Sequence, residues 1–178
     1  MTTKGGRLPQ VELDAILAQH RAWAGRAFGN PSGPGAFAIS GPMRLDGVDL
    51  RKCNFILEDL RGIVLAKADL RRAWLVGARL NNADLRQADL RHADLSEAHL
   101  HAADLRGADL RGARLYGAYL DAARLEGANL RGACGLSARK LLRGVVYRSP
   151  PSLDAAAIAT LPKRLQAAVV AAWLREQA

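Results

Sequence analysis

The sequence predicts an all-β solenoid flanked by helical segments, because a period of five residues runs through the middle of the chain. Leucine stands at every fifth position from 45 to 130, and Phe55 takes the one place where it is missing. A second apolar series lies two residues earlier and is alanine without a break from 68 to 133. The earlier apolar members of this series are Met43, Val48, Cys53 and Ile63. An unbroken register of this length indicates a repeat architecture.

A period of five fits neither a helix nor a straight strand. Five residues turn an α-helix through about 500°, so the leucine column would circle all its sides. In a straight strand an odd period would place successive leucines on opposite faces. The pattern is satisfied if the alanine and leucine of each pentapeptide point inward. The next two residues must then turn the chain by about a right angle, so that four corners close a square coil. Glycine is common at the corner position, where an unusual φ is needed.

Two runs carry a family resemblance: ADLRQADLRHADL at 83–95 and ADLRGADLRGARL at 103–115 resemble the pentapeptide-repeat family. The resemblance covers about half of the chain. The segments LAQHRAWAG at 17–25 and GLSARKLL at 135–142 also resemble flanks found in that family. The resemblance implies a right-handed quadrilateral β-helix, with leucine as the central inward residue and N- and C-terminal α-helical caps.

We expect three segments: an N-terminal helix and loop cap at 1–42, the repeat β-helix at 43–134 and a helical tail at 135–178. Residues 9–27 have the spacing of an amphipathic helix, which is expected to cap the exposed core and edges of the first coil. Glu58 occupies an inward position, where an isolated carboxylate is costly. We therefore expect the first coil to be distorted or open there, with pairing to the N-terminal segment as one means of compensation.

Composition narrows the function classes. The chain has 26 Lys and Arg against 17 Asp and Glu, a net charge of +9, and seven basic against two acidic residues lie in 133–178. Such a tail either contacts nucleic acid or an acidic surface, or serves solubility. Cys53 and Cys134 form no disulfide framework and fit no metal spacing, so a reducing compartment, the cytoplasm, is expected. We see neither a signal peptide nor a membrane-spanning run.

No cofactor or metal is expected either. His99 and His101 flank Leu100, but no third convincing ligand converges on them in the predicted register. The sequence also shows no nucleophile and base arrangement and no phosphate loop, and a filled core would leave no cleft. The protein is therefore not expected to be an enzyme.

Residues twenty apart should stack, so the outer faces can be assigned from the sequence. One face carries a charged ladder, with an acidic or amide residue two positions before each arginine. The arginines are Arg51, Arg71, Arg91, Arg111 and Arg131. A self-neutralised array of exposed ion pairs is the favoured interpretation. The alternative is a strip for phosphate groups, which the acidic column opposes, so nucleic acid is not expected as a partner.

A second face carries outward apolar side chains, with one tyrosine at the start of the next face. The predicted partner-binding residues are Ile56, Leu57, Trp74, Val76, Tyr116 and Tyr119. Exposed apolar groups that are contiguous usually mark an interaction site. The alternative is that the N-terminal segment folds over this face and buries it.

The C-terminal run AAVVAAWL at 167–174 is apolar on all sides of a helix, and such a helix is normally buried on more than one side. We expect a homodimer through this helix. The predicted self-association residues are Val169, Val170, Trp173 and Leu174. A different protein docking on the helix, or residues 153–161 folding back over it, are the alternatives.

These features predict a non-enzymatic protein-binding scaffold or adaptor whose partner the sequence does not name. The family resemblance implies one alternative. Some pentapeptide-repeat proteins mimic duplex DNA and modulate DNA gyrase and other type II topoisomerases, some giving fluoroquinolone resistance. That activity needs a strongly acidic surface, whereas here arginine and aspartate columns alternate.

Overall fold

The structure is a computed structural model that describes residues 8–28, 42–136, 155–161, 163 and 165–167. Its body is a four-sided solenoid in which each side contributes one parallel backbone bridge to the coil above. The bridges join residues twenty apart, from Arg44 with Val64 to Arg114 with Cys134. This register confirms the predicted twenty-residue coil.

The chain turns because one residue in every pentapeptide has a left-handed backbone. At all eighteen corner positions from 47 to 132, φ lies between +54° and +72°. Eight corners are glycine, which adopts this φ freely, and ten are other residues, including Lys52, Leu57 and Arg72. A left-handed residue other than glycine costs about 1–2 kcal/mol. The remaining interactions of the coil must offset that strain.

Backbone hydrogen bonds between coils supply much of this offset. The N–H of Leu90 donates to the carbonyl of Asp109 at 2.8 Å, and the N–H of Asp109 donates to the carbonyl of Ala88 at 2.9 Å. A bond within each corner closes the turn, as between the N–H of Ala93 and the carbonyl of Leu90 at 3.0 Å. The backbone groups of a chain that forms neither helix nor long strand are satisfied in this way.

The leucine and alanine columns fill the interior as predicted. Every repeat leucine from 45 to 130, Phe55, and every alanine of the series from 68 to 133 is buried. One large and one small side chain from each wall fill the narrow square, as close packing of a protein interior requires. The core therefore fixes the inward positions, while the outward positions are free to vary.

Helix α1 (Gln10–Phe28) covers the first coil, and the amphipathic helix predicted over 9–27 is confirmed. Pro9 precedes it. Proline has no backbone N–H, but this costs no hydrogen bond there, because the first N–H groups of a helix have no acceptor within the helix. Leu13 and Leu17 are buried in the same core cluster as the solenoid leucines. Ahead of the helix, the N–H of Leu8 donates to the carbonyl of Asp49 at 3.1 Å, as a preceding coil would.

A salt bridge between α1 and the first coil compensates Glu58. Arg21 Nη1 lies 2.9 Å and 2.7 Å from the two carboxylate oxygens. The coil keeps its register, because the N–H of Arg79 still donates to the carbonyl of Glu58 at 2.9 Å. The predicted pairing with the N-terminal segment is confirmed. The predicted distortion is wrong, because Arg21 neutralises the carboxylate at the rim of the core and the coil need not open.

Helix α2 (Ala155–Thr160) lies against the last coil. Thr160 Oγ1 accepts a hydrogen bond from the N–H of Leu130 at 2.8 Å and so replaces the carbonyl of a further coil. Leu161 and Leu165 are buried in the core cluster. Across the ranges that the structure describes, no helix combines the length and the apolar character that crossing a bilayer requires.

His20 is fully buried where α1 meets the first coil. Its ring centroid lies 5.4 Å from that of Trp23. Burial lowers the pKa of His20 below the ordinary 6.5, and the carboxylate of Asp59 opposes this only in part. The N-terminal cap is therefore built around a neutral histidine.

Leu90→Lys is expected to unfold the solenoid, whereas Arg91→Ala leaves its melting temperature close to that of the parent. Loss of a buried leucine alone costs about 2–5 kcal/mol, and a lone buried ammonium adds to this. Arg91 lies outside the core in a partly exposed ion pair, which contributes little to stability. Thermal unfolding followed by circular dichroism measures both variants. Equal shifts in the two melting temperatures would show that the register is wrong.

Acidification is expected to destabilise the cap through His20. The pKa of His20 is lower in the folded state than 6.5, so the unfolded chain binds the proton first as the pH falls. This contribution to stability is complete above pH 6.5 and is lost as the pH falls below that value. Melting temperatures of the parent and of His20→Leu, compared between about pH 7.5 and about pH 5.5, measure it. A slope that survives in His20→Leu would contradict the assignment.

Candidate functional site

Three outward regions carry the candidate sites. The ladder face is the side formed by residues 49–51, 69–71, 89–91, 109–111 and 129–131. The apolar face is the next side along the chain, formed by residues 54–56, 74–76, 94–96 and 114–116. The basic corner is the edge between these two faces, formed by Lys52, Arg72 and His92.

On the ladder face, each aspartate binds the arginine two residues later. Arg71 Nε lies 2.8 Å from Asp69 Oδ1, and Arg71 Nη2 lies 2.6 Å from Asp69 Oδ2. A longer contact of 3.6 Å joins Arg71 Nε to Asp89 Oδ2 of the next coil. The same two-pronged pair recurs at Arg51, Arg91 and Arg111. The face is therefore the self-neutralised array that its sequence favours.

The electrostatics of the ladder agree with this pairing. The hydrogen bond from Arg71 holds the pKa of Asp69 below its usual value, and the same bond raises the pKa of Arg71. The last arginine differs, because position 129 is asparagine. Among the described residues no carboxylate pairs with Arg131, and Asn129 Oδ1 accepts only the backbone N–H of Arg131 at 3.1 Å. Four of the five ladder guanidinium groups are thus already occupied.

The apolar face exposes a compact group of side chains on its first two coils, which we call the apolar cluster: Ile56, Leu57, Trp74 and Val76. Ile56 is 44% exposed, Leu57 75% and Trp74 54%, while Val76 is half-buried. A Cβ built on Gly77 would meet Leu57 Cδ2 at 2.7 Å. The Leu57 side chain therefore lies over Gly77, the stacked corner of the following coil. Helix α1 covers the end of the solenoid and leaves this cluster exposed.

Tyr116 and Tyr119 do not belong to this cluster. The coil that follows it carries Asp94 and Ser96 on the same face, joined by a hydrogen bond of 2.6 Å from Ser96 Oγ to Asp94 Oδ1. Beyond them, the Arg114 guanidinium lies 5.8 Å from the centroid of the Tyr116 ring. Tyr119 lies on the next side and stacks on His99 at 4.8 Å. The structure thus separates Tyr116 and Tyr119 from the other four predicted residues and from each other.

The basic corner was not among the predicted sites. Its residues line a surface groove of about 420 Å³ together with three ladder arginines: Arg51, Lys52, Arg71, Arg72, Arg91 and His92. A Cβ on Gly112 would meet His92 Nδ1 at 2.6 Å, so the imidazole lies over Gly112 at one end of the groove. Reading corner residues twenty apart, rather than only the neighbours of each leucine, reveals this column in the sequence.

Two further predictions concern metal sites and self-association. Within the described ranges no group of His, Cys, Asp and Glu has the arrangement of a metal site. The predicted self-association residues lie outside the described residues: Val169, Val170, Trp173 and Leu174. Self-association through the C-terminal helix therefore stays a prediction.

The leucine-filled square coil, with stacked columns of side chains on its outside, defines a β-solenoid repeat protein. A model of pentapeptide repeats matches the chain in eight copies, over residues 44–82, 78–115 and 98–134. These segments join into 91 of the 178 residues. The chain therefore belongs to the pentapeptide-repeat family and has that family's right-handed quadrilateral β-helix.

Solved structures of the family agree with this assignment. A pentapeptide repeat protein from the Arabidopsis thaliana thylakoid lumen is 28% identical, with a TM-score of 0.52 over 57% of this chain and 76% of the other. Rfr23 from the cyanobacterium Cyanothece 51142 is 35% identical, with a TM-score of 0.51 over 54% of this chain and 65% of that protein. No curated protein matches the chain significantly by sequence.

A further match is to a trypsin-treated form of QnrB1, a plasmid-mediated fluoroquinolone resistance protein. It is 18% identical to this chain, with a TM-score of 0.33 over 56% of this chain and 70% of the other. At that level of similarity the match supports no argument about function.

Proposed function

We propose that this protein is a non-enzymatic scaffold or adaptor that binds another protein through the apolar cluster. The observation that carries the proposal is Leu57, which is 75% exposed and stands at a corner with φ of 58°. Glycine would remove the backbone strain there, and a polar residue would remove the exposed apolar surface. Leucine at this position lowers stability unless a partner covers it.

The neighbours of Leu57 make the surface large enough to contribute to binding. Trp74 and Ile56 present further exposed apolar area on the same two coils. Burial of a leucine or isoleucine side chain contributes about 1.5–3 kcal/mol, and tryptophan is among the residue types most enriched at the centre of interfaces. A partner that covers the cluster gains from several adjacent side chains at once.

The proposal also covers the compartment, self-association and the alternative of a DNA mimic. Cys53 and Cys134 are not joined in a disulfide, which is typical of a reducing compartment, and we place the protein in the cytoplasm. Self-association through residues 162–178 remains part of the proposal. The DNA-mimic alternative lacks a specific observation in its favour, because four aspartates of the ladder face are each matched by an arginine two residues away.

Site-specific crosslinking in the native cell tests the proposal. A photoreactive residue in place of Trp74 is expected to crosslink to one distinct protein, and the added substitution Leu57→Asp is expected to remove that product. Arg79 is a matched control, since it holds the same place in the next pentapeptide and its side chain is 52% exposed. The same products from positions 74 and 79, or none from position 74, would contradict the proposed surface.

A further inference from the structure

We infer that the partner docks as an acidic amphipathic α-helix that lies along the basic corner, parallel to the solenoid axis, with its apolar side on the apolar cluster. The inference rests on the proposed protein-binding function and names the kind of surface that the partner presents. The described residues lead to it through their charge, the backbone conformation of the corner, its spacing and the position of the apolar cluster.

The basic corner carries the uncompensated positive charge of this region. The guanidinium groups of Arg51, Arg71 and Arg91 are held by aspartates of the ladder face. Lys52 and Arg72, by contrast, have no carboxylate partner among the described residues, although they stack on adjacent coils and line one groove with the arginines. Like charges about 5 Å apart repel one another. An anionic ligand in the groove would relieve this repulsion.

Both cations are also held at strained backbone positions. Lys52 and Arg72 each have φ of 58°, and the same column continues with glycine at 112 and 132. Glycine at 52 and 72 would therefore remove both the backbone strain and the repulsion. Eight other non-glycine corners share this strain, so what distinguishes Lys52 and Arg72 is that two cations are stacked on adjacent coils.

The spacing of the corner suits one face of a helix. Successive coils are about 4.8 Å apart, so the three corner side chains span roughly 9.6 Å. In an α-helix, residues three apart are separated by about 4.5 Å along the axis and residues seven apart by about 10.5 Å. Acidic residues at positions i, i+3 and i+7 of a helix therefore meet Lys52, Arg72 and His92 in register.

The apolar cluster lies where the other side of such a helix would rest. Trp74 follows Arg72 by two residues, on the side of the solenoid that begins at the basic corner. A helix about 10–12 Å in diameter covers both the corner and the adjacent face. The cluster ends at Asp94 and Ser96, which add no apolar surface, since Asp94 accepts a hydrogen bond from Ser96 and lies 3.4 Å from the Arg114 guanidinium. The contact is therefore limited to about two turns of the partner helix.

An acidic helix fits this surface better than the alternatives do. Both flanks of this chain carry a net positive charge: four basic and two acidic residues lie in 1–42, and seven basic and two acidic residues lie in 137–178. Neither flank is therefore complementary in charge to the basic corner. A nucleic acid would bring its phosphates close to the carboxylates of Asp49, Asp69 and Asp89 on the ladder face. It would also gain little from an exposed aliphatic group such as Leu57.

Peptide binding to the full-length protein tests the inference. The probe is a fluorescent, alanine-rich peptide of about 18 residues with glutamate at i, i+3 and i+7 and leucine on the neighbouring stripe. A peptide of the same composition and equal helicity, with the two residue types spread around the helix, is the control. Fluorescence anisotropy is expected to give a Kd of about 0.1 mM or lower for the patterned peptide. Its binding should weaken between about 50 and about 200 mM salt.

Lys52 and Lys67 provide a matched pair of variants, since both are exposed corner lysines with φ of 58° and 60°. Lys52→Glu combined with Arg72→Glu is expected to raise the Kd of the patterned peptide at least about tenfold, and Lys52→Glu alone at least about threefold. Lys67→Glu should change it by less than about twofold. Circular dichroism and melting temperatures confirm that each variant is folded.

Three results would overturn the inference: equal binding of both peptides, equal effects of Lys52→Glu and Lys67→Glu, or tighter binding of a single-stranded oligothymidine through the same two residues. Failure of the peptide while crosslinking from position 74 persists would reject the acidic helix and leave the proposed function intact. Loss of the crosslinks would reject the proposed function itself.

Discussion

The left-handed corner is the constraint on which the rest of the structure depends. Each corner turns the chain so that the next alanine and leucine again point inward, and a single corner out of register would expose the core of its coil. Because all eighteen corners take this conformation, residues twenty apart stack and their backbones hydrogen-bond on four sides. The strain at ten non-glycine corners is offset by that backbone network and by the buried core.

This arrangement separates stability from surface chemistry. The inward positions are fixed as leucine and alanine through most of the solenoid, whereas the outward positions differ from coil to coil without disturbing the fold. On the ladder face the outward positions neutralise one another, since each aspartate binds the arginine two residues later. At the apolar cluster and the basic corner they do not, and the protein retains exposed leucine, tryptophan, lysine and arginine. The candidate site lies where outward side chains remain exposed if apolar, or lack a carboxylate partner among the described residues if basic.

The sequence predicts most of the fold because its period is strict. The inward register and the capping helix over 9–27 follow from spacing alone, and so does the pairing of Asp69 with Arg71. Three features do not. The basic corner is visible only when corner residues such as Lys52 are read as a column of their own. The separation of Tyr116 from the apolar cluster depends on which polar residues fill the coil between them, and the undistorted coil at Glu58 depends on Arg21 of a distant helix.

The central claim is that Lys52 and Arg72 are kept at their corners for binding, at a cost in stability. The most direct test replaces Lys52 and Arg72 with glycine and compares this variant with the double glycine replacement of Ala102 and Ala122, which also have positive φ. Chemical denaturation is expected to show both variants stabilised, by about 1–2 kcal/mol. Only the first should lose the patterned acidic peptide. A Lys52 and Arg72 glycine variant that still binds this peptide as the parent does would contradict the account.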